Sequence, residues 1–439
     1  MTVRRMTVRF AIVRFLILLP LGASAGAGEA VDPARLGRTV RALAAFGTRH
    51  SGSALDDPAR GIGAARRWLV AEFAAIAAGT DGRMVVEEQA FNAPASERLP
   101  QGARLANVYA MLRGTDEAQR ERIYVVSGHY DSRASDAADA TSDAPGANDD
   151  ASGVAVVLEL ARLFASSPPP STLIFLCVTG EEQGLLGAGH FAQQARAQGW
   201  RIEGMFTNDI VGNSRGRDGK PDRSHVRLFS DGIRRSDNPM EAKLLASMGL
   251  ESDSPSRQLA RFAAAHAPPG FAIRLVYRPD RFLRGGDHMP FHEAGFPAAR
   301  FTEPFEDFDR QHQDVREEAG RGFGDTPELV DYAYLALVAR ANAAVLQALA
   351  TAPAPPPRVR IHTARLENDT TLSWDASPGA AAYEVVWRAT TEPDWTGARR
   401  VKGLLTTLPL SKDDLHFGVR ALGADGRASP VAFAMPFRG

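Results

Sequence analysis

The sequence is nearly devoid of cysteine. Cys177 is the single cysteine among 439 residues, so no disulfide can form within the chain. It stands in the apolar run TLIFLCV, which predicts a buried core position and not a reactive thiol. The fold is therefore expected to be stable without disulfides. One thiol does not decide the redox compartment.

An excess of charge of either sign is also lacking. The chain has 51 basic and 52 acidic residues and a formal net charge of -1. No overall field therefore attracts nucleic acid or an anionic membrane, and nucleic acid is not an expected partner. Any preference for a ligand must come from a local site.

Long apolar runs are scarce. The run Phe15–Leu21 follows four arginines, precedes small residues, and is shorter than the roughly 20 residues of a spanning helix. This pattern predicts a secretory signal over residues 1–28, cleaved between Ala23 and Ala30, with a membrane anchor as the alternative. The mature protein is expected in the periplasm or outside the cell, without a stable membrane anchor. No other stretch is expected to reach membrane-spanning length.

The middle of the chain alternates between strand and helix patterns. Apolar residues at helical spacing predict helices over 32–46 and 59–77. Apolar runs such as LIFLCV are typical of strands covered on both faces. We therefore predict an α/β fold over residues 29–350, a three-layer α/β/α domain with a mostly parallel mixed sheet. Further strands are predicted over 84–91, 105–112, 123–127, 172–178 and 204–211, and further helices over 154–164 and 188–197.

The end of the chain has a different pattern. A helix is predicted from Pro327 to Leu349, and the proline-rich segment 351–358 predicts a stiff linker. Alternating polar and apolar residues over 359–439 predict a small all-β sandwich. The segment resembles a fibronectin type III domain, with Trp374 in an early strand and Tyr383 in a middle one. It suggests no catalysis, and its candidate partners are a cell surface, a polymer or the rest of the chain.

The segment VVSGHYDS places polar residues at the end of a predicted strand. His129 and Asp131 are two apart, so in extended chain their side chains point the same way. The carboxylate can then orient the imidazole of a metal-binding histidine. The alternative is a strand-end histidine beside a surface aspartate.

The segment PGANDDASG leads two aspartates into a predicted helix. Asp150 is favoured as a helix cap, because carboxylates at a helix N-terminus accept its free N–H groups. Asp149 follows a glycine-containing approach that brings backbone close to another group. It is a candidate for a carboxylate that bridges two metal ions.

The segment TGEEQG follows another predicted buried strand. Glu181 and Glu182 repel each other there unless a cation or a shared proton compensates. One carboxylate would bind a metal and the other would act as a general base. The alternative is a solvated pair in a loop.

The remaining polar candidates are spread over the second half of the chain. Asp209 stands in the predicted strand 204–211, where an unpaired carboxylate is costly. Asp287 and His288 occur in RGGDHMPFHEAGFP, and His292 and His312 are each compatible with ordinary surface histidines. All four segments occur in one chain in this order, which favours one shared site.

These motifs resemble those of metallopeptidase family 28, in particular its Aeromonas-type zinc aminopeptidases. The matching segments run from GTRHSGS to HQDVREE. The resemblance implies two Zn²⁺ ions, a general base and supporting carboxylates. Its implied metal ligands are His129 and Asp209 on one ion, Glu182 and His312 on the other, and Asp149 on both; Glu181 is the implied general base, Asp131 orients His129, and Asp287 supports the pocket.

The resemblance implies a secreted enzyme that removes N-terminal residues from peptides or proteins. Glutaminyl cyclisation, and a binding ectodomain without catalysis, are the alternatives. His288 competes with His312 as a ligand, because HQDVR departs from the family's commoner His-Thr. The family's oxyanion-stabilising tyrosine is also missing, and Arg281 or Arg284 is the candidate substitute. The loop 252–269 is expected to help form the walls of the specificity pocket.

Overall fold

The computed structural model describes residues 31–216, 218–233, 238–250 and 253–438. The predicted signal segment 1–28 lies outside these ranges. Up to the end of the large sheet, the helices are α1 Pro33–Ala44, α2 Gly61–Ala77, α3 Ala151–Ser166, α4 Leu186–Ala197, α5 Pro239–Ser247, α6 Pro255–Ala265 and α7 His288–Glu293. The strands of the sheet are β1 Met84–Ala93, β2 Ala103–Leu112, β3 Arg122–His129, β4 Thr172–Val178, β5 Arg201–Asn208, β6 His225–Ser230, β7 Ala272–Val276 and β8 Ala298–Thr302.

These eight strands form one mixed sheet in the order β1-β2-β4-β3-β5-β8-β6-β7. The centre of the sheet is parallel: β3 pairs with both β4 and β5, and β5 pairs with β8. The pairs β1–β2, β2–β4 and β6–β8 are antiparallel. The prediction of an α/β fold around a large mixed sheet is confirmed.

Helices cover both faces of the sheet. The apolar sides of α1, α2, α3 and α8 (Tyr332–Thr351) join one large core, which includes the buried Phe73 and Phe164. On the other face α4 and α7 pack through Phe191 and Phe291. Cys177 is buried in β4, as predicted. The strands β3 and β4 are buried along their whole length, so their apolar runs reflect this double cover.

Helix α8 is long and apolar enough to cross a membrane, so the expectation that no second stretch reaches that length is wrong. Its apolar window is 67% buried inside the protein, because the helix packs on α1 and α3. Its length and composition therefore reflect a core position. The helix also starts later than predicted, at Tyr332, after a short 3₁₀ turn at Pro327–Leu329.

A small hairpin of β9 Arg316–Glu318 and β10 Arg321–Phe323 precedes α8. The chain beyond α8 forms two four-stranded sheets. Their core contains Trp374 and Tyr383, whose ring centroids are 5.5 Å apart. Trp374 follows β12 and is not within a strand. The strands are β11 Arg360–His362, β12 Thr370–Ser373, β13 Ala382–Ala389, β14 Gly397–Val401, β15 Leu405–Leu408, β16 Leu415–Leu422, β17 Ala432–Phe433 and β18 Met435–Phe437.

The first and last strands of this C-terminal module are neighbours in one of its two sheets. One sheet has the order β15-β12-β11-β18 and the other β14-β13-β16-β17. The first strand β11 runs parallel to the last strand β18, with Arg360 opposite Met435 and His362 opposite Phe437. That the module is a fibronectin type III domain stays a prediction, as do its boundaries.

The module docks on α6 through a buried ion-pair cluster. Asp253, just before α6, pairs with Arg261 at 2.7 Å and with Arg388 of β13, and all three are buried. The indole nitrogen of Trp395 donates to Gln258 at 3.0 Å. The prediction that 252–269 is a pocket loop is wrong, because α6 occupies most of it and faces the module.

Candidate metal centre

The candidate ligands gather at one edge of the sheet. His129 is the last residue of β3, Glu182 follows β4, and Asp209 directly follows β5. These strands are parallel neighbours, so their carboxyl ends meet. The predicted strand 204–211 is wrong in its bounds: β5 ends at Asn208, and Asp209 lies just outside it.

Five side chains form two groups that share Asp149. The Nε2 atom of His129 lies 3.0 Å from Oδ1 of Asp149 and 3.7 Å from Oδ1 of Asp209. The Nε2 atom of His312 lies 3.1 Å from Oδ2 of Asp149 and 3.1 Å from Oε1 of Glu182. In each group the candidate ligand atoms all lie within 4.8 Å of one another. The structure thus brings together the whole predicted ligand set.

The electrostatics of the two groups suit a divalent cation. Burial lowers the pKa of His129, but the surrounding carboxylates raise it well above its ordinary value. For His312 burial is likewise outweighed by Glu182 and Asp149, and its pKa rises to about 10. Within the described chain, the ion-pair contacts of Nε2 of His129 and Oε1 of Glu182 are to other members of the two groups. Nitrogen and carboxylate donors with surplus negative charge are ligands that zinc accepts.

Asp131 contacts the ring of His129 and the backbone of Glu181 and Glu182. Its carboxylate accepts the backbone N–H groups of Glu181 at 3.3 Å and Glu182 at 3.1 Å. Nδ1 of His129 lies 3.2 Å from the carbonyl oxygen of Asp131 and 3.6 Å from its Oδ1. A hydrogen on Nδ1 directed at Asp131 leaves the lone pair of Nε2 for a metal.

Asp150 caps α3, as predicted. Its Oδ1 accepts the backbone N–H of Gly153 at 3.0 Å, and its Oδ2 accepts that of His129 at 3.0 Å. One buried carboxylate therefore joins the start of α3 to the end of β3. This contact brings the backbone of Asp149 alongside His129.

Two buried residues that the sequence analysis missed hold the loop before Asp149. Asp325 accepts the backbone N–H groups of Asn148 and Asp149, each at 2.7 Å. Arg49 donates to the carbonyl oxygens of Tyr130 at 2.7 Å and Gly146 at 2.9 Å, and so joins this loop to the end of β3. Arg49 stands in the motif GTRHSGS, the first of the segments that carry the family resemblance.

Arg300 is a further missed residue. It lies in the middle of β8 and is fully buried, with Nη2 3.0 Å from Oδ2 of Asp209 and Nη1 3.2 Å from Oδ2 of Asp280. Its Nε also donates to the carbonyl oxygen of Asp209 at 2.7 Å. The signal was present in AARFT, since a charged residue inside an apolar strand needs a partner as much as Asp209 does.

The structure places His312 in a ligand group, but not His288 or His292. His312 has a positive φ of 55°, in the left-handed region that non-glycine residues rarely adopt, and its neighbour Gln311 donates to Asp149 at 3.0 Å. His288 instead contacts the carbonyl oxygen of Pro279 at 2.6 Å and belongs to neither ligand group. His292 contacts Asp231 at 3.1 Å, away from the centre.

Two carboxyl groups near the centre, those of Glu181 and Asp287, belong to neither ligand group. Burial, together with the carboxylates of Asp209 and Glu182, raises the pKa of Glu181 well above its ordinary value despite the opposing effect of His129. Asp287 precedes α7, and burial raises its pKa to about 8. Neither oxygen of Asp287 has a hydrogen-bond partner among the described residues. Glu181 lines the open cavity, so it can reach a substrate, whereas Asp287 is enclosed.

A cavity of about 330 Å³ opens onto the two ligand groups. Glu181, Glu182 and Asp209 lie in its wall. Arg281 and Arg284 also line it, and both pair with Glu306, at 3.0 and 2.6 Å. The cavity has room for about one or two amino-acid side chains.

Comparison with known proteins gives matches over nearly the whole chain. The family described as "Peptidase family M28" matches residues 107–325. A probable zinc metalloprotease of Leptosphaeria maculans is 46% identical over 414 residues, covering 93% of this chain and 96% of that protein. A probable zinc metalloprotease of Pyricularia oryzae is 46% identical over 427 residues, covering 94% of this chain and 84% of that protein.

Two solved structures share the fold. An aminopeptidase from Aneurinibacillus sp. strain AM-1 has a TM-score of 0.51 at 17% identity, covering 73% of this chain and 94% of that chain. The LapA aminopeptidase of Legionella pneumophila has a TM-score of 0.50 at 16% identity, covering 73% of this chain and 72% of that chain. At this identity the likeness concerns the fold.

Proposed function

The chain belongs to peptidase family M28 and is a zinc metalloprotease, and on that premise we propose that it is an exported aminopeptidase with two zinc ions. The observation that carries the proposal is the pair of ligand groups sharing Asp149. One ion would be held by His129, Asp149 and Asp209. The other would be held by Asp149, Glu182 and His312. Zinc, when bound there, supplies Lewis-acid polarisation of the scissile carbonyl and lowers the pKa of water.

The chain's own residues would move the proton. Glu181 lines the cavity beside Glu182 but belongs to neither ligand group. Its raised pKa suits a general base that accepts a proton from the attacking water and gives it to the leaving amine. The hydrogen bond from its backbone to Asp131 fixes its position relative to His129.

Removal of single N-terminal residues is supported by the size of the cavity. A volume of about 330 Å³ accommodates the N-terminal residue of a peptide. Arg281 and Arg284 remain candidates for stabilising the oxyanion, because both line the cavity. Their shared counterion Glu306 would hold both guanidinium groups in place.

Export and the role of the C-terminal module are further parts of the proposal. The basic and apolar N-terminal segment supports a cleaved signal, and sequencing the N-terminus of the protein recovered outside the cytoplasm would test cleavage between Ala23 and Ala30. Peptide and protein N-termini are the proposed substrates. The module is proposed to contact a cell surface or a polymer.

The central experiment measures zinc content and hydrolysis together. Purified protein should contain two zinc ions per chain and hydrolyse aminoacyl-nitroanilides but not their N-acetylated forms. Chelation should abolish hydrolysis, and added zinc should restore it. Hydrolysis that survives complete removal of metal would exclude the mechanism. Cyclisation of N-terminal glutamine without hydrolysis would favour the glutaminyl cyclase alternative, and metal binding without either reaction would favour a binding ectodomain.

A further inference from the structure

We propose that Arg98 and Arg133 bind a carboxylate group of the substrate beside the metal centre, so that the enzyme prefers substrates with such a group. This inference rests on the proposed function and deepens it. Both arginines line the 330 Å³ cavity that contains Glu181 and Glu182. A carboxylate can reach the cavity in two ways, on an acidic N-terminal residue or at the C-terminus of a short peptide.

The two arginines come from separate parts of the chain and meet at Glu182. Arg98 lies in the connection between β1 and β2, and its Nη1 donates to the carbonyl oxygen of Glu182 at 3.0 Å. Arg133 follows β3, and its Nη1 lies 3.9 Å from Oε2 of Glu182. Each guanidinium group thus contacts the candidate metal ligand Glu182 through one of its nitrogen atoms.

Most of their hydrogen-bonding capacity is unused. A guanidinium has five N–H donors. Within the described ranges, Arg98 makes the single bond to Glu182, and Arg133 adds to its ion pair only a bond from Nε to the carbonyl oxygen of Ala134 at 3.3 Å. The remaining donors are available to a ligand in the cavity.

Four arginines line the cavity beside four carboxylates, and the charge of the three carboxylates that belong to the ligand groups would be offset by bound metal. Arg281 and Arg284 are balanced in part by Glu306, which both contact. Arg98 has no carboxylate partner in the described chain, and Arg133 has only Glu182, whose charge a bound metal would share. Two arginines therefore face the cavity without a dedicated counterion. A substrate carboxylate would pair with them in the planar, two-pronged geometry that guanidinium groups favour.

A purely structural role for Arg98 makes a different prediction. If it only fixed the backbone of Glu182, its loss would lower turnover of charged and neutral substrates alike. A binding role changes the ratio between them. The decisive measurement is therefore a comparison of matched substrates that differ in one charge.

The experiment uses the zinc-loaded full chain and two substrate pairs. Glutamyl- and glutaminyl-nitroanilide distinguish an acidic side chain, and Leu-Gly and Leu-Gly-amide distinguish a C-terminal carboxylate. We expect the charged member of at least one pair to have a kcat/KM at least about tenfold higher, mainly through a lower KM. The pair that shows the preference identifies the source of the carboxylate.

Variants connect that preference to the two arginines. Arg98→Gln and Arg133→Gln should each reduce it at least about tenfold, while zinc content stays at the wild-type level. Arg113→Gln is the matched control, since Arg113 is exposed and follows β2 at the opposite edge of the sheet. Hydrolysis with no charge preference, or a preference that both variants retain, would overturn this inference and leave the proposed function intact. Failure to hydrolyse any substrate with zinc bound would instead overturn the proposed function, and this inference with it.

Discussion

The guanidinium of Arg300 lies 3.0 Å from the carboxylate of Asp209, and both side chains are buried. Asp209 is therefore a candidate ligand that already has a cation on one side. Arg300 also pairs with Asp280, so one arginine balances two buried carboxylates. Burial raises the pKa of Asp280, but Arg300 and Arg281 outweigh this effect and hold the pKa well below its ordinary value.

Replacing Arg300 by Met should destabilise the protein strongly. The change leaves Asp209 buried without its arginine and removes one of the two arginines beside Asp280, and breaking a buried pair in this way costs about 3–5 kcal/mol. Urea unfolding with a chelator present measures the loss apart from metal binding. Arg104→Met on β2 is the control, since Arg104 is exposed. A midpoint equal to that of the control would show that the pair contributes nothing to folding.

The two adjacent glutamates should respond differently to the same substitution. Glu181→Gln should retain zinc and lose about 10²–10⁴-fold in kcat, because it removes the general base alone. Glu182→Gln should lose zinc from the group that contains His312. Metal analysis and kinetics on both variants measure this. The opposite pattern, with zinc lost from the Glu181 variant, would mean that the two roles are exchanged.

Asp131→Asn should weaken zinc binding by about 10–100-fold, the usual effect of removing a carboxylate that orients a ligand. The new amide would place an N–H₂ group where the backbone N–H groups of Glu181 and Glu182 now find an acceptor. Titration against a competing chelator gives the affinity. Asp56→Asn, at an exposed position in a loop, should leave it unchanged.

Stability should depend on pH through Glu303. Burial raises its pKa well above the ordinary value, although Asn148 and the backbone of Asn213 donate to it. A raised folded-state pKa adds stability below the unfolded pKa of about 4.3, and this is lost as the pH rises through the folded value. Glu303→Gln should therefore gain stability relative to wild type between pH 4 and pH 8.

Thermal or urea unfolding at several pH values tests this gain. The exposed Glu97→Gln is the matched control and should show no such trend. A constant difference between Glu303→Gln and wild type across the range would contradict the argument, because it would mean that the proton equilibrium of Glu303 does not change on folding.

Asp253→Asn should weaken the contact between the module and the rest of the protein. It leaves the buried Arg388 without its carboxylate partner, at a cost of about 3–5 kcal/mol. Calorimetry should then show the module unfolding at a lower temperature than the sheet domain. Asp394→Asn is the control, because Asp394 is exposed and 4.0 Å from Arg261. An unchanged transition in the Asp253 variant would show that other contacts hold the module.

The sequence predicts the centre of the fold well because its strands are continuous apolar runs. The predicted range 172–178 agrees with β4, and the other central strands differ by a few residues at their ends. The elements between β5 and α8 were largely missed. There β7 spans five residues and α7 spans six, so both are too short to give a strong periodic signal.

Four of the five candidate ligands were accessible from sequence because each lies at or near a strand end or a helix start, whereas His312 lies in a turn between β8 and β9 and was assigned by the family resemblance. The supporting residues were not, since Arg300 and Asp325 act across long sequence separations. Arg300 reaches Asp209 from another strand, and Asp325 reaches the backbone of Asp149 from the segment before α8. The local sequence pattern around Arg300 or Asp325 does not indicate its partner.

The parallel pairing of β11 and β18 has a mechanical consequence. β11 is the first strand of the module and β18 its last, with Arg360 opposite Met435 and His362 opposite Phe437. A force that pulls β11 and β18 in opposite directions along their length would load the hydrogen bonds between them together and not one after another. The first and last strands of the module therefore resist separation along their length, because their hydrogen bonds must break together.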